Sequence, residues 1–126
     1  VLTANEGDDI IVWGDGKTER DLLYVDDVID FIQLAIDNQV KNYDLFNVGM
    51  GESYSVRDIV EKIIKYSGKN LSISHDMSKP SINTKLALNS HKAYAEFKWK
   101  PKYDLDAGIK KTIEWYNKNI KIKGEK

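Results

Sequence analysis

The stretch Val12 to Val28, reading VWGDGKTERDLLYVDDV, constrains the fold more than any other. Gly14 and Gly16 allow a tight bend with positive φ, and Gly14 to Thr18 reads as a turn after a short strand, Ile10 to Trp13. Arg20 to Val25 is then a second strand or extended segment, with Leu22, Leu23, Tyr24 and Val25 as a buried apolar run. Asp26 or Asp27 fits the N-cap of a helix, because a short acidic side chain can accept from the first free N–H groups. From Asp27 the hydrophobic period changes. Val28, Phe31, Ile32, Ala35 and Ile36 recur at spacings of three and four, the stripe of an amphipathic helix ending near Asn38.

The rest of the chain repeats that alternation. Residues 1–8 are polar and read as the tail of an element that began upstream. Asn42 to Met50 reads as a short strand ending in a glycine turn. Ser55, with Asp58 three residues on, forms a capping box for a helix striped by Val56, Ile59, Val60, Ile63 and Ile64, and Gly68 fits its C-cap. Leu71 and Ile73 alternate with serines as a half-buried strand. Asp76 to Thr84 is a polar loop, and Leu86 to Leu88 a short apolar piece. Ser90 can cap a short helix that Trp99-Lys100-Pro101 breaks. Asp104 caps a last helix with Leu105, Ile109, Ile113, Tyr116 and Ile120 on one face. Strands alternating with helices predict an α/β fold, read as one unit over residues 1–126.

Several function classes are excluded early. A net charge of −1 gives no electrostatic case for nucleic acid or an anionic membrane. Lys118, Lys121, Lys123 and Lys126 read as a solvated helix face and frayed tail rather than a binding patch. The absence of cysteine removes disulfides, thiolate catalysis and thiolate metal sites. No apolar run is long enough for a membrane span, and the expected location is the cytoplasm. His75 and His91 lack acidic partners at metal spacing, so no metal is expected. The chain opens on Val1 rather than Met, which fits a piece of something longer.

The segment G-x-G-x-x-x-R-D-x-x-Y-V-D-D-V resembles the opening of the substrate-binding part of extended short-chain dehydrogenases/reductases, the sugar-nucleotide epimerases, dehydratases and reductases. Trp13 before the glycine turn is closest to the GDP-L-fucose synthase branch. Four later stretches support the resemblance in order: Phe46-Asn47-Val48-Gly49 with Gly51; the helix Ser55 to Ile64; His75-Asp76-Met77-Ser78-Lys79-Pro80; and Phe97 to Pro101 followed by the closing helix Leu105 to Tyr116. Ser81-Ile82, Lys85-Leu86 and Asn89 depart from the usual pattern, which leaves the nucleotide and sugar open.

The resemblance implies the C-terminal portion of an extended Rossmann-type enzyme that uses NAD(P), with the dinucleotide-binding half absent from this chain and no cofactor bound by the chain alone. It implies a nucleotide-diphosphate sugar as ligand. Arg20 would grip the diphosphate, since a planar guanidinium suits bidentate oxyanion contacts. Trp13 would line the sugar pocket, and Lys79 and Lys85 would add positive charge. The alternative roles are an ion pair to Glu19, Asp21 or Asp26 for Arg20, core packing for Trp13, and solvation for the lysines. Asn47 is a further hydrogen-bonding candidate. Tyr94 to Lys98 spells Y-x-x-x-K, but it falls in a segment matching a packing element, so no catalytic residue is expected and the isolated chain should be inactive. Asp104, Asp106 and Glu114 read as helix surface.

Three functional readings follow: a fragment of a GDP-L-fucose synthase-like epimerase/reductase, or of a dTDP- or UDP-sugar 4,6-dehydratase or 4-epimerase; a stand-alone nucleotide-sugar binding module; or a non-catalytic partner-binding module. The Val28–Ile36 helix is the expected surface for a homodimer or partner.

Overall fold

A computed structural model describes residues 2–121. Its strands are β1 (Asp9–Trp13), β2 (Glu19–Arg20), β3 (Tyr54–Ser55) and β4 (Ser72–Asp76). Its helices are α1 (Val25–Asn38), α2 (Val56–Ser67), α3 (His91–Phe97) and α4 (Leu105–Tyr116), the last running into a π turn at Asn117–Lys121. Lys123 and Lys126 of the basic tail, and Val1, lie outside the described residues.

β1 and β4 pair in parallel, with Ile10 opposite Ile73 and Trp13 opposite Asp76. Parallel neighbours need a crossover, and here it carries α1 and α2. The α/β expectation holds on that ground. β2 and β3 form a separate antiparallel pair, Glu19 opposite Ser55 and Arg20 opposite Tyr54. Lys85 bridges to Glu19 in the parallel sense.

Two expected strands do not form. Leu22 to Val25 is no buried strand: β2 stops at Arg20, α1 begins at Val25, and both Leu22 and Val25 are exposed. Beyond Arg20 the Asp21 carboxylate accepts from the backbone of Met50, Gly51 and Leu88. Asn42 to Met50 has the right alternation, with Phe46 and Val48 packed inward and Tyr43 and Leu45 exposed. No strand among the described residues lies beside it, and a strand without a ladder partner is only an extended segment.

The helix ends follow local chemistry in two cases. Ser55 and Asp58 complete the capping box on α2, Gly68 closes it at φ 71°, and the Asp104 side chain accepts from the Ala107 N–H. The acidic cap of α1 is a correction. Tyr24 occupies the N-cap with no side-chain bond, and Asp27 sits inside the first turn with 0% of its surface exposed. Its carboxylate accepts from the N–H groups of Lys102 (3.0 Å) and Tyr103 (3.2 Å), and its carbonyl accepts from the Trp99 indole N–H (3.1 Å). Ser90 precedes α3 as expected but caps nothing. Its hydroxyl instead binds Gly49, accepting from its N–H and donating to its carbonyl.

The core has two parts. Phe31, Ala93 and Trp99 form the first, with Leu34, Phe46 and Phe97 packed against it. The rings of Phe31 and Trp99 meet edge to face at 5.6 Å, the arrangement that aromatic quadrupoles favour. Leu105, Ile109 and Ile113 form the second, against Ile63, Tyr54 and Tyr66. The Lys62–Asp106 pair, 2.6 Å apart, ties α2 to α4, so Asp106 is not free surface. The Lys62 ammonium, then the Tyr66 hydroxyl, hold its carboxyl below the ordinary value. The α1 stripe buries only in part: Phe31 is inside, while Ile32 and Ile36 face out.

Candidate functional site

The carboxyl ends of parallel strands are where open α/β sheets bind ligands. At that end of β1 stands Trp13, 71% exposed, which is therefore not the core residue that packing alone would make it. Lys79, on the loop after β4, holds its ammonium 5.3 Å from the Trp13 ring centroid. The turn between them is held by hydrogen bonds. Gly14 has φ 70°, donates its N–H to the Asp76 carbonyl at 2.9 Å, and its carbonyl meets His75 Nδ1 at 2.9 Å. The Ser81 hydroxyl accepts from the Asp15 N–H at 2.9 Å and fills the space a Gly14 side chain would need.

From there residues 81–85 run beside residues 15–20. Thr18 donates its hydroxyl to the Ile82 carbonyl (2.6 Å), and the Glu19 N–H donates to the Thr84 carbonyl (2.9 Å). The side chains then cross. Arg20 Nη1 donates to the Thr84 hydroxyl and to the Glu19 carbonyl, both at 2.7 Å. Lys85 pairs with the Glu19 carboxylate at 3.1 Å. The Ser53 hydroxyl, then Lys85, hold the Glu19 carboxyl below its ordinary value. Backbone donation from Lys17 does the same for Asp15. Both acids are therefore ionised at neutral pH.

Among the described residues Arg20 makes no ion pair, although Glu19 and Asp21 flank it in sequence and Asp26 follows. Its guanidinium is held by one nitrogen. Trp13 meets Lys79 at one end of this ribbon, and at the other Arg20 meets Thr84 while the adjacent Glu19 meets Lys85. A ribbon with a flat ring at one end and an anchored guanidinium at the other can bind a ligand that carries both a planar or sugar face and an oxyanion.

The other candidates lie elsewhere. Asn47 is exposed. Lys98 caps α3 in the left-handed region at φ 56°, with its ammonium 5.4 Å from the Tyr94 ring centroid. His75 faces the Gly14 turn. No group of three His, Cys, Asp or Glu among the described residues is spaced for a metal. A cavity of about 400 Å³ lies between α2, α4 and Leu22–Tyr24, lined mainly by apolar side chains, and none of the four candidate residues lines it.

Spacing alone does not reveal the roles of two residues. Asp27 resembles a cap because capping acids and buried acids share the same short side chain. Asp21 stands beside Arg20 in sequence, yet its carboxylate accepts from Met50, Gly51 and Leu88. Glycines at 49 and 51 are the sequence signal for it. A Cβ at Gly49 would stand 2.7 Å from the Asp21 carboxylate, so only glycine lets that loop approach.

The Gly14–Gly16 turn is no cradle for a dinucleotide pyrophosphate. It leads into β2 rather than a helix, and the side chains of Ser81, His75 and Arg57 crowd it. The fold is that of an extended short-chain dehydrogenase/reductase, a Rossmann-type class of sugar-nucleotide enzymes. Within it, the chain belongs to the GDP-mannose 4,6 dehydratase family, which it matches over residues 1–112.

It is similar to GDP-L-colitose synthase of Yersinia pseudotuberculosis, 33% identical over 118 residues that cover 92% of this chain and 38% of that protein. It is also similar to GDP-L-fucose synthase of Escherichia coli K12, 29% identical over 125 residues that cover 93% and 39%. A UDP-glucose 4-epimerase of Thermotoga maritima, solved with UDP-glucose, superposes with a TM-score of 0.80 at 28% identity, covering 94% of this chain and 37% of that one. The chain spans less than two fifths of the length of these relatives. No helix among the described residues is long and apolar enough to cross a membrane.

Proposed function

We propose that this chain is the substrate-binding C-terminal portion of an NAD(P)-dependent sugar-nucleotide epimerase/reductase similar to GDP-L-fucose synthase. The observation that carries the reading is Arg20: a guanidinium anchored at Nη1 on Thr84, with no carboxylate partner among the described residues. In this role Arg20 binds the diphosphate. Lys85 shifts from Glu19 toward the same phosphates, and Trp13 with Lys79 contacts the sugar. The dinucleotide is held by the part of the enzyme beyond this chain, and this chain supplies no catalytic group. Similarity to dTDP-glucose 4,6-dehydratase of Salmonella typhimurium, 27% over 127 residues, supports a second reading with a dTDP- or UDP-sugar in the same place.

Calorimetric titration with GDP, UDP and dTDP tests the reading and ranks the bases. Arg20→Ala is expected to weaken binding by about 1.5–3 kcal/mol, the usual range for a hydrogen bond to a charged group. Equal affinity in the variant, or reductase turnover by the 126-residue chain alone, would overturn it.

The exposed face of α1, with Ile29, Ile32 and Ile36 outward, is the surface we assign to self-association into a homodimer. Sedimentation velocity over a concentration series should show a dimer that Ile36→Lys converts to monomer. A monomer at every concentration would remove this element of the proposal.

A further inference from the structure

Three sequence segments meet at one carboxylate. Asp21 Oδ1 accepts from the Met50 N–H at 2.8 Å, and Oδ2 accepts from Gly51 and Leu88, each at 3.0 Å. Charge-assisted bonds from backbone donors are strong and directional, and three of them take up most of the accepting capacity of a carboxylate. Gly49 packs against the same oxygen, and Ser90 ties Gly49 in turn. The segment from Thr84 to Ser90 is therefore pinned at both ends. Thr84 and Lys85 are held by β2, and Leu88 and Ser90 are held by Asp21 and Gly49.

Arg20 sits between these anchors. Its neighbour's charge is directed to backbone donors rather than to its guanidinium. Its partner Thr84 stands four residues from the pinned Leu88. We infer that Asp21 is the positioning residue of this edge: by binding the Met50, Gly51 and Leu88 N–H groups it holds Thr84 and Lys85 in register with Arg20, ready for the phosphates of a nucleoside diphosphate. The ligand rests on the function proposed above, whereas the positioning of Arg20 does not.

Two measurements need no ligand. In the unsubstituted chain the adjacent Met50 and Gly51 amides and the distant Leu88 amide are expected to share one protection factor against hydrogen exchange, each rate being divided by its intrinsic value, because one carboxylate holds all three. Unrelated protection factors would overturn the inference without any variant having to fold. Phenylglyoxal modification mapped by mass spectrometry then reads the guanidinium. The chain has two arginines, and Arg57, paired with Glu61 at 2.8 Å, is the internal reference. Asp21→Asn keeps the side-chain volume but offers the N–H groups only one oxygen. It is expected to speed modification of Arg20 several-fold relative to Arg57, and an unchanged ratio would overturn the inference.

The third measurement uses GDP. Asp21→Asn should weaken GDP binding about tenfold in the parent background and not further in the Arg20→Ala background, as expected for two residues acting as one unit. A residue acting on stability alone would lower affinity equally in both backgrounds, and that result would overturn the inference. If the unsubstituted chain binds no GDP, UDP or dTDP, the functional reading falls while the exchange and modification results still decide the role of Asp21.

Discussion

Asp27→Ala is expected to cost about 3–4 kcal/mol of folding stability, read as a shift in urea midpoint at constant slope. The substitution leaves the N–H groups of Lys102 and Tyr103 without acceptors in a place where the native side chain is completely buried. An unpaired buried donor costs about 1–3 kcal/mol, and two are left here. The carboxylate also lies in the first turn of α1, where the unpaired N–H groups of the helix favour negative charge. Asp27→Asn should fall between the two, because the amide oxygen can satisfy one of the donors. A loss below about 1 kcal/mol for the alanine variant would mean that water reaches the 102–103 turn, against the full burial of Asp27.

Trp99→Ala should be the second large effect, about 3–5 kcal/mol, the range for removing a large aromatic side chain from a core. Trp99 is buried against Phe31 and Ala93, so the void would open at the centre of the first cluster. Trp99→Phe separates the terms. It keeps most of the packing and removes the indole donation to the Asp27 carbonyl, a loss of about 1 kcal/mol. The two sites share the 99–103 turn, so the double variant Asp27→Ala/Trp99→Ala should lose less than the sum of its parts. Strict additivity within about 0.5 kcal/mol would show that the carboxylate and the indole act on separate structures.

The candidate site divides along the same lines. Arg20, Trp13, Lys79 and Lys85 were all legible as residue types at motif positions. Their pairing was not. Nothing in spacing shows that Lys79 lies over Trp13, that Thr84 holds Arg20, or that Lys85 is engaged by Glu19. These contacts join residues more than sixty positions apart, and the parallel β1–β4 pair is what brings residues 79–85 alongside residues 13–20. Asp21 shows the limit most clearly. Its nearest charged neighbour in sequence is Arg20, but its bonds go to the backbone of positions 50, 51 and 88, which have no sequence signature apart from the glycines that make room.

Local order was determined by the sequence alone. The Ser55–Asp58 box, Gly68 beyond α2 and Asp104 before α4 depend on interactions within a few residues, and each stands where its pattern puts it; of the expected α4 face Leu105, Ile109 and Ile113 are buried, whereas α4 ends at Tyr116 and Ile120, in the π turn, is exposed. The tertiary structure decided which extended segments became strands and which acids went inside. Val12 and Ile73 found a parallel partner and became sheet, whereas Leu22–Val25 and Asn42–Met50 found none. Asp27 went inside because the 99–103 turn presents two N–H groups to its carboxyl oxygens, and a polar side chain is buried without large cost only where such partners converge on it. Strand pairing and the burial of a carboxylate both require a partner from elsewhere in the chain, and only the folded arrangement supplies that partner.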